Sequence, residues 1–440
     1  MTICLATTHY APQPGGIAHY YTCLSKLLSE AGHTVILLTI ADNEQETEDQ
    51  ITWDGDSIRV SLANDYRRYK TLYSGYFRPG SYGADAWLAT GMAMRDWLIR
   101  HAGEYKIDLI EVMDFGGAGI FLKQSGLPPL IIDAHSSALQ ISQQAPMVQD
   151  DHLSVIKQLE TLAFRYADAI IAHSPMNLQA LQSMGFQQTV FSRAPWLLPG
   201  KSIPERTNTQ RKKYLVISSL QPIKGAELMI QAAAAAAKKD PEICIYWAGD
   251  DSFSAPGGKL ASTYLSKKYP GTWSTHFRWL GQKNKTELNE LMNESAAVII
   301  PSLWDTFNYV VPETVMAAVP LILSDKTGAG YLVKDHPMVI SFSAGNAIEL
   351  AEIIVRQHFS QPAGNFIDLH QKLEDYFSAD HIVEERMKIY EQVIRKKQSP
   401  DMKPIKEQLR FLDAYIRPAR KNYYQLRKVI KRIIRPFSIY

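Results

Sequence analysis

The sequence predicts an α/β protein of two doubly wound domains, and three observations carry that prediction. Its 440 residues exceed what one hydrophobic core usually serves, so two domains of about 200 residues each are expected. Short apolar runs alternate with helical patterns, as strands and helices do in a parallel sheet covered on both faces. That alternation halts at a polar stretch near 199–213, PGKSIPERTNTQRKK, and then begins again. The expected division is an N-terminal domain over 1–200, a linker over 201–213 and a second domain over 214–379. A further helix is expected at 380–397, and a basic tail fills 398–440.

In chain order, 2–8 reads as the first strand. APQPGGIAHYY follows it, then a helix to about Ala31 and a second strand from Val35 to Ile40. Gly15 and Gly16 after that strand let backbone approach a ligand closely; a plain tight turn is the other reading. The run lacks the G-x-G-x-x-G spacing of a dinucleotide site, which counts against a nicotinamide enzyme. Residues 42–56 are acidic and read as a surface loop. Tyr66 to Tyr82 interleaves aromatic and basic side chains, which suits stacking on bases or sugars, or a structured surface insertion. No nucleic-acid motif accompanies it, so no nucleic-acid partner is expected. Strands at Ile107–Val112, Leu130–Asp133 and Ala169–Ala172 continue the pattern, and His135 follows the second of them at its carboxyl end. A structural or a functional histidine fits that place.

The second half opens with strand YLVISSL, loop QPIKG and a helix. Strands ending at Gly249 and Gly281 come next. The most informative stretch is 301–320, PSLWDTFNYVVPETVMAAVP. It starts where one apolar run stops and ends where another starts, so it reads as the loop and helix after a buried strand, where open α/β sheets bind ligands. Asp305 lies in the loop and Glu313 in the first turns of the helix. Glu313 stands about 200° around the helix from Val311, away from the apolar stripe. Two carboxylates so placed can accept hydrogen bonds from hydroxyls, while free N–H groups at a helix start attract an anion. Hydroxyls at both ends and phosphates between describe a nucleotide sugar. An N-cap aspartate and a solvated glutamate would show the same pair.

This stretch resembles the donor-site signature of the retaining GT-B glycosyltransferases of family 4, the glycosyl transferases group 1. Asp305 takes the place of the first Glu of that signature and Glu313 the second. Phe307 and Pro320 match, Asn308 stands where Gly is usual, and Ala318 replaces a helix Gly. The opening strand, P-x-P-G-G and helix resemble the same family, as does Lys224-Gly225, which lies 81 residues before Asp305. Ser218-Ser219 occupies the usual Gly-Arg position. A serine there carries no charge, so part of a phosphate clamp is missing and Arg278 or Lys283 becomes a candidate substitute. The resemblance covers about 1–395 and implies that the helix at 380–397 crosses back to the N-terminal domain.

It implies two Rossmann-like domains facing across a cleft, and transfer of a sugar from a nucleoside diphosphate sugar to a carbohydrate or lipid-linked acceptor with retention. The expected catalytic residues are Lys224, Asp305, Glu313 and His135. The expected donor-binding residues are Gly15, Gly16, Ser219, Lys224, Gln282, Phe307, Asn308, Tyr309 and Glu313. Glu313 would hold ribose, Asp305 the donor sugar, and Lys224 with the helix after Phe307 the leaving diphosphate. No metal and no cofactor beyond the donor are expected; Asp250-Asp251 reads as a turn. The competing reading is a catalytically inactive GT-B scaffold or partner subunit, to which Ser219, Asp305 and Asn308 lend support. A phosphorylase or epimerase fits less well, for want of a pyridoxal-lysine context.

A hydrophobic content of 46% with 21% charged residues is ordinary for a globular protein and excludes a disordered chain. Cys4, Cys23 and Cys244 have no metal-like spacing and read as buried thiols in a reducing compartment. MTICLATTHY carries no basic leader, and no apolar run is long enough to span a bilayer, so a cytoplasmic place is expected. Residues 401–440 hold eleven Lys and Arg against three Asp and Glu, a surplus of +8 that leaves −6 on the first 400. Within 403–435 the apolar residues recur at helical spacing. That pattern fits a helix lying on the inner face of an anionic membrane, or one docked on the protein.

Overall fold

The computed structural model describes residues 1–41, 46–54, 57–74, 77, 82–198, 210–356, 366–396 and 401–412. Two sheets dominate it. The first holds β1 (Thr2–Ala6), β2 (Thr34–Ile40), β3 (Gln50–Asp54), β4 (Ser57–Leu62), β5 (Leu109–Met113), β6 (Leu130–Asp133), β7 (Ala169–Ala172) and β8 (Thr189–Phe191), in the order β3-β4-β2-β1-β5-β6-β7-β8. Every pairing is parallel except β3 with β4. The second holds β9 (Gln210–Ile217), β10 (Cys244–Ala248), β11 (Phe277–Gly281), β12 (Ser295–Ile300), β13 (Leu321–Ser324) and β14 (Val339–Phe342), all parallel, in the order β11-β10-β9-β12-β13-β14. Central strands buried on both faces read as unbroken apolar runs, and Ile3, Cys4, Leu5 and Ala6 of β1 are wholly inaccessible. This is the two-domain GT-B architecture that the resemblance implies.

Helices fill both faces. Those that bear on the site are α1 (Gly16–Glu30), α2 (Asn64–Ser74), α3 (Ala84–His101), α4 (Ala226–Ala237), α5 (Ala261–Lys268), α6 (Val310–Met316), α7 (Ala379–Arg395) and α8 (Met402–Leu409). In the first sheet strand order reverses at β1, and in the second between β9 and β12. The loops leaving these strands therefore splay apart and open a crevice at the carboxyl ends.

Helix α7 ties the halves together. Its Ile382 packs in the second domain's core, whereas Tyr390 and Val393 pack in the first's. Between them Arg386 is fully buried, with Nη1 3.2 Å from Glu111 Oε2 and Nη2 donating to Tyr20 Oη at 2.8 Å. Asp133 stands 3.7 Å from the same guanidinium, and Tyr390 Oη donates to Glu111 Oε2 at 2.6 Å.

Four sequence expectations change. The linker ends earlier than expected, because β9 starts at Gln210. Two basic residues at its end are paired: Lys212 with Asp240 and Glu242, and Lys213 with Glu294 at 2.5 Å. Residues 42–56 are not all loop, since Gln50–Asp54 forms an edge strand against β4. Of the Tyr66 to Tyr82 stretch, the part to Ser74 belongs to α2, whose Tyr69 and Tyr73 bury their rings against the first domain's core and are not free to stack on a ligand.

The tail also begins differently. Ile405 and Leu409 of α8, with Leu412, bury themselves in the same core, and Gln408 bonds Arg165 and Tyr166, so this portion docks on the protein. The rest of the expected basic helix, 413–435, lies outside the described residues. No helix among the described residues is long and apolar enough to cross a membrane.

Candidate active site

A cleft of about 590 Å³ opens where the carboxyl ends of the two sheets face each other. Every residue expected from the sequence lines it: Gly15, Gly16 and His135 on the first domain, and Ser219, Lys224, Gln282, Asp305, Phe307, Asn308, Tyr309 and Glu313 on the second. Contacts cross it. Ser136 Oγ stands 3.3 Å from Thr306 Oγ1, Tyr309 Oη donates to Pro195 O at 2.8 Å, and the His19 and Tyr309 rings meet edge to face.

On the second domain, Gly225 explains where Lys224 points. Its φ is +77°, and a Cβ there would sit 2.0 Å from Pro301 O, so only glycine lets the loop after β9 press against the loop after β12. The close approach brings Lys224 Nζ to 2.7 Å from Asp305 Oδ2. Asn308 Nδ2 donates to the same oxygen at 2.8 Å, and Ser302 Oγ stands 3.3 Å away. Asp305 is only 6% exposed, and its known bonds gather on Oδ2, which leaves Oδ1 to accept. The ammonium keeps protons to offer into the cleft, since the Lys224 side chain is 25% exposed.

Asn308 stands where the family signature has Gly because its backbone has φ +82°, a region asparagine tolerates better than most residues. Its Oδ1 also accepts from Val310 N at 3.0 Å. That bond bears on the expected anion site at the start of α6. Val310 N–H is taken by Asn308, Val311 N–H faces Asn308 O at 3.3 Å, and Pro312 has none. The helix has seven residues only. The N–H groups of Val310 and Val311 are therefore already engaged at this helix start.

Lys224, Lys283 and Lys285 are the candidate cations for an anion in or near the cleft. Lys283 lines the cleft beside Gln282. Arg278 does not; it lies over the Tyr246 ring on β11. Lys285 escaped the sequence reading, yet its charge acts on Glu313, His19 and Cys23. A signal was present, because Asn284 and Glu287 form a capping box that starts a helix there, with Lys283 just before it and Lys285 in its first turn. Burial pushes Glu313 up to about 7, with Lys285 opposing the shift. Phe307 is chiefly wall, packed edge to face on Tyr309 and Phe377.

The first domain's wall is neutral. Gly15, at φ +114°, turns the chain into α1, and Gly16 faces the Tyr309 ring. His135 lies against Tyr20, Tyr21 and His173, and burial pushes its imidazole down to about 3, so it is uncharged near neutrality. Its Nε2 finds no partner among the described residues. Beneath it, Asp133 Oδ1 pairs with His173 Nε2 at 2.8 Å, and Tyr20 Oη donates to Oδ2. The ligand atoms of Asp133, His135 and His173 lie within 4.8 Å of one another. Asp133 is already bonded on both oxygens and has Arg386 beside it, a poor setting for a cation.

This pattern of cations, carboxylates and a neutral histidine can be set beside known proteins. Residues 14–195 match the family model described as Glycosyltransferase Family 4, and residues 201–357 match that described as Glycosyl transferases group 1. A glycogen synthase of Mycobacterium tuberculosis is 22% identical over 390 residues, covering 82% of this chain and 87% of its own. Among solved structures, sucrose-phosphate synthase of Thermosynechococcus elongatus superposes with a TM-score of 0.66 at 16% identity, covering 90% of this chain and 100% of that one. The structure titled trehalose-6-phosphate from E. coli, bound with UDP-2-fluoro glucose, gives 0.62 at 14%, again over 90% and 100%. A trehalose-phosphate synthase of Burkholderia xenovorans in complex with glucose-6-phosphate gives 0.61 at 12%, over 89% and 100%. These likenesses carry the fold. The two family models together take in well over half of the sequence, and the chain belongs to the GT-B group 1 glycosyltransferases.

Proposed function

We infer that the protein transfers a glycosyl group from a nucleoside diphosphate sugar to an acceptor hydroxyl, with retention at the anomeric carbon and without a metal or other cofactor. The observation that carries this reading is the meeting of Lys224, Asp305 and Glu313 on one wall of a single cleft. Relatives of the same fold include a glycogen synthase and a protein bound with a UDP-sugar analogue, which supports the donor class.

In this reading Glu313 accepts hydrogen bonds from the ribose hydroxyls, and Asp305, held by three donors, presents its free oxygen to the donor sugar. The bond from the anomeric carbon to the diphosphate oxygen breaks as one to the acceptor oxygen forms on the same face, and the acceptor hydroxyl's proton passes to the leaving diphosphate. Lys224, with Lys283 and Lys285 near by, stabilises the charge that gathers on the leaving diphosphate. Fixed charges in a partly dry cleft are the largest single contribution to such a step. Neutral His135 can bond a sugar hydroxyl through Nε2. A role in polysaccharide or glycolipid assembly, with the part of the 403–435 stretch beyond Leu412 meeting an anionic membrane surface, belongs to the same proposal.

Thermal denaturation with UDP, GDP, ADP and their sugars tests it. A hundredfold excess over Kd should stabilise the protein by about 2.7 kcal/mol. One nucleotide should raise Tm, and Lys224→Ala should lower kcat for transfer about 10²-fold to 10³-fold. Activity should survive chelation. No shift with any nucleotide would favour the inactive scaffold.

A further inference from the structure

A second cavity of about 500 Å³ lies beside the cleft. Both domains build it, with Met147 and Val148 from the first and Pro222, Ala261, Tyr264 and Leu265 from the second. Its few polar members are turned elsewhere. The Glu227 carboxylate takes Lys268 Nζ at 2.6 Å and Tyr269 Oη at 2.5 Å, and Ser254 Oγ pairs with Ser252 Oγ at 2.6 Å. Gln221 borders this chamber and the cleft alike. The partition beside it is an apolar cluster of Ala145, Ile223 and Trp304. Trp304 is 5% exposed, lines the cleft, and buries an indole Nε1–H that has no partner among the described residues. Phe253, the residue before Ser254 at the rim, is 70% exposed although large and apolar.

We propose that this chamber holds an aliphatic chain carried by the acceptor, whose hydroxyl end passes Gln221 and the Trp304 N–H to reach the cleft. The volume suits a small molecule, falling within the roughly 300–1,000 Å³ of such sites. A partner protein is a poor occupant, because an α-helix is about 10–12 Å across with its side chains and needs a longer groove. The chamber adjoins the loop that carries Lys224, so a chain seated there places its head group near the donor sugar. The inference rests on the transferase reading of the cleft and adds the class of acceptor: an amphipathic glycoside or alcohol.

n-Alkyl β-D-glucosides from methyl to decyl, each below its critical micelle concentration, would be titrated calorimetrically into the full-length protein, with and without the nucleotide that raises Tm. Each added methylene should tighten binding about threefold to fourfold until the chamber is full. Val148→Trp on the partly exposed loop and Ala261→Phe at the start of α5 should each abolish that gain and leave nucleotide binding unchanged. Either variant suffices if the other fails to fold. Affinity independent of chain length, or the same gain in a folded variant, overturns the proposal. A nucleotide response without chain dependence removes the chamber and leaves the donor site standing. Chain dependence without any nucleotide response removes the acceptor role and the donor reading together.

Discussion

The two walls of the cleft rise from the same kind of parallel sheet, yet they carry charge in opposite places. On the second domain the Lys224–Asp305 pair and Lys283 stand at the cleft surface, where a ligand meets them. On the first domain Arg386, Glu111 and Asp133 lie wholly buried behind His135, and the surface shown to the cleft is glycine, imidazole and hydroxyl. The difference separates two uses of an ion pair. A buried one fixes a structure, because breaking it strands a charge without solvent, whereas a pair at the rim of a cleft can exchange part of its partner for substrate.

The comparison breaks first at Arg386. Arg386→Ala leaves two buried carboxylates facing each other and should cost about 3–5 kcal/mol in urea denaturation. A loss below 1 kcal/mol would show that the buried network does not hold the domains as described. Glu313 tests the other wall. Its folded pKa, about 7, lies above the ordinary 4.5, so the folded state binds the extra proton between those values. The stability this gives is full below pH 4.5 and lost as pH rises through 7. Tm should therefore fall with pH across that window, and Glu313→Gln should flatten the fall. Nucleotide affinity should rise through pH 7 as the carboxylate forms, and Glu313→Gln should weaken it about tenfold, the value of one charged hydrogen bond. The smallest effect sharpens the picture at Asn308. Asn308→Ala keeps φ +82° without either side-chain bond and should cost about 1–2 kcal/mol. Asn308→Gly should lie near neutral in thermal melts, since relief of the backbone offsets the lost bonds.

The cleft wall of the second domain was legible because its residues are local. Lys224 precedes a glycine at a helix start, and Asp305 to Glu313 fall within one loop and helix. The first domain's wall was half legible: His135 stands two residues after β6, and the Gly15-Gly16 pair closes the loop between β1 and α1. Arg386 was not. It sits 275 residues from Glu111, and an arginine on an amphipathic helix reads as solvated until the partner is known. Strand β3 was missed because an edge strand need not be apolar inside; Ile51 and Trp53 are largely exposed. Helix α2 was missed although Tyr66, Tyr69 and Tyr73 keep helical spacing, because the arginines between them suggested a binding surface.

Helix α7 has a consequence for how the chain comes to be folded. During synthesis the residues of the first sheet leave the ribosome long before Arg386 does, since a chain grows at about 5–20 residues per second. Until then Glu111 and Asp133 lack the guanidinium that lies between them, and the apolar faces that Tyr390, Ile405 and Leu409 will cover stay open to water. The first domain to be made is thus the last to be completed, and the second domain can close its own core while the first still waits for a helix encoded beyond it.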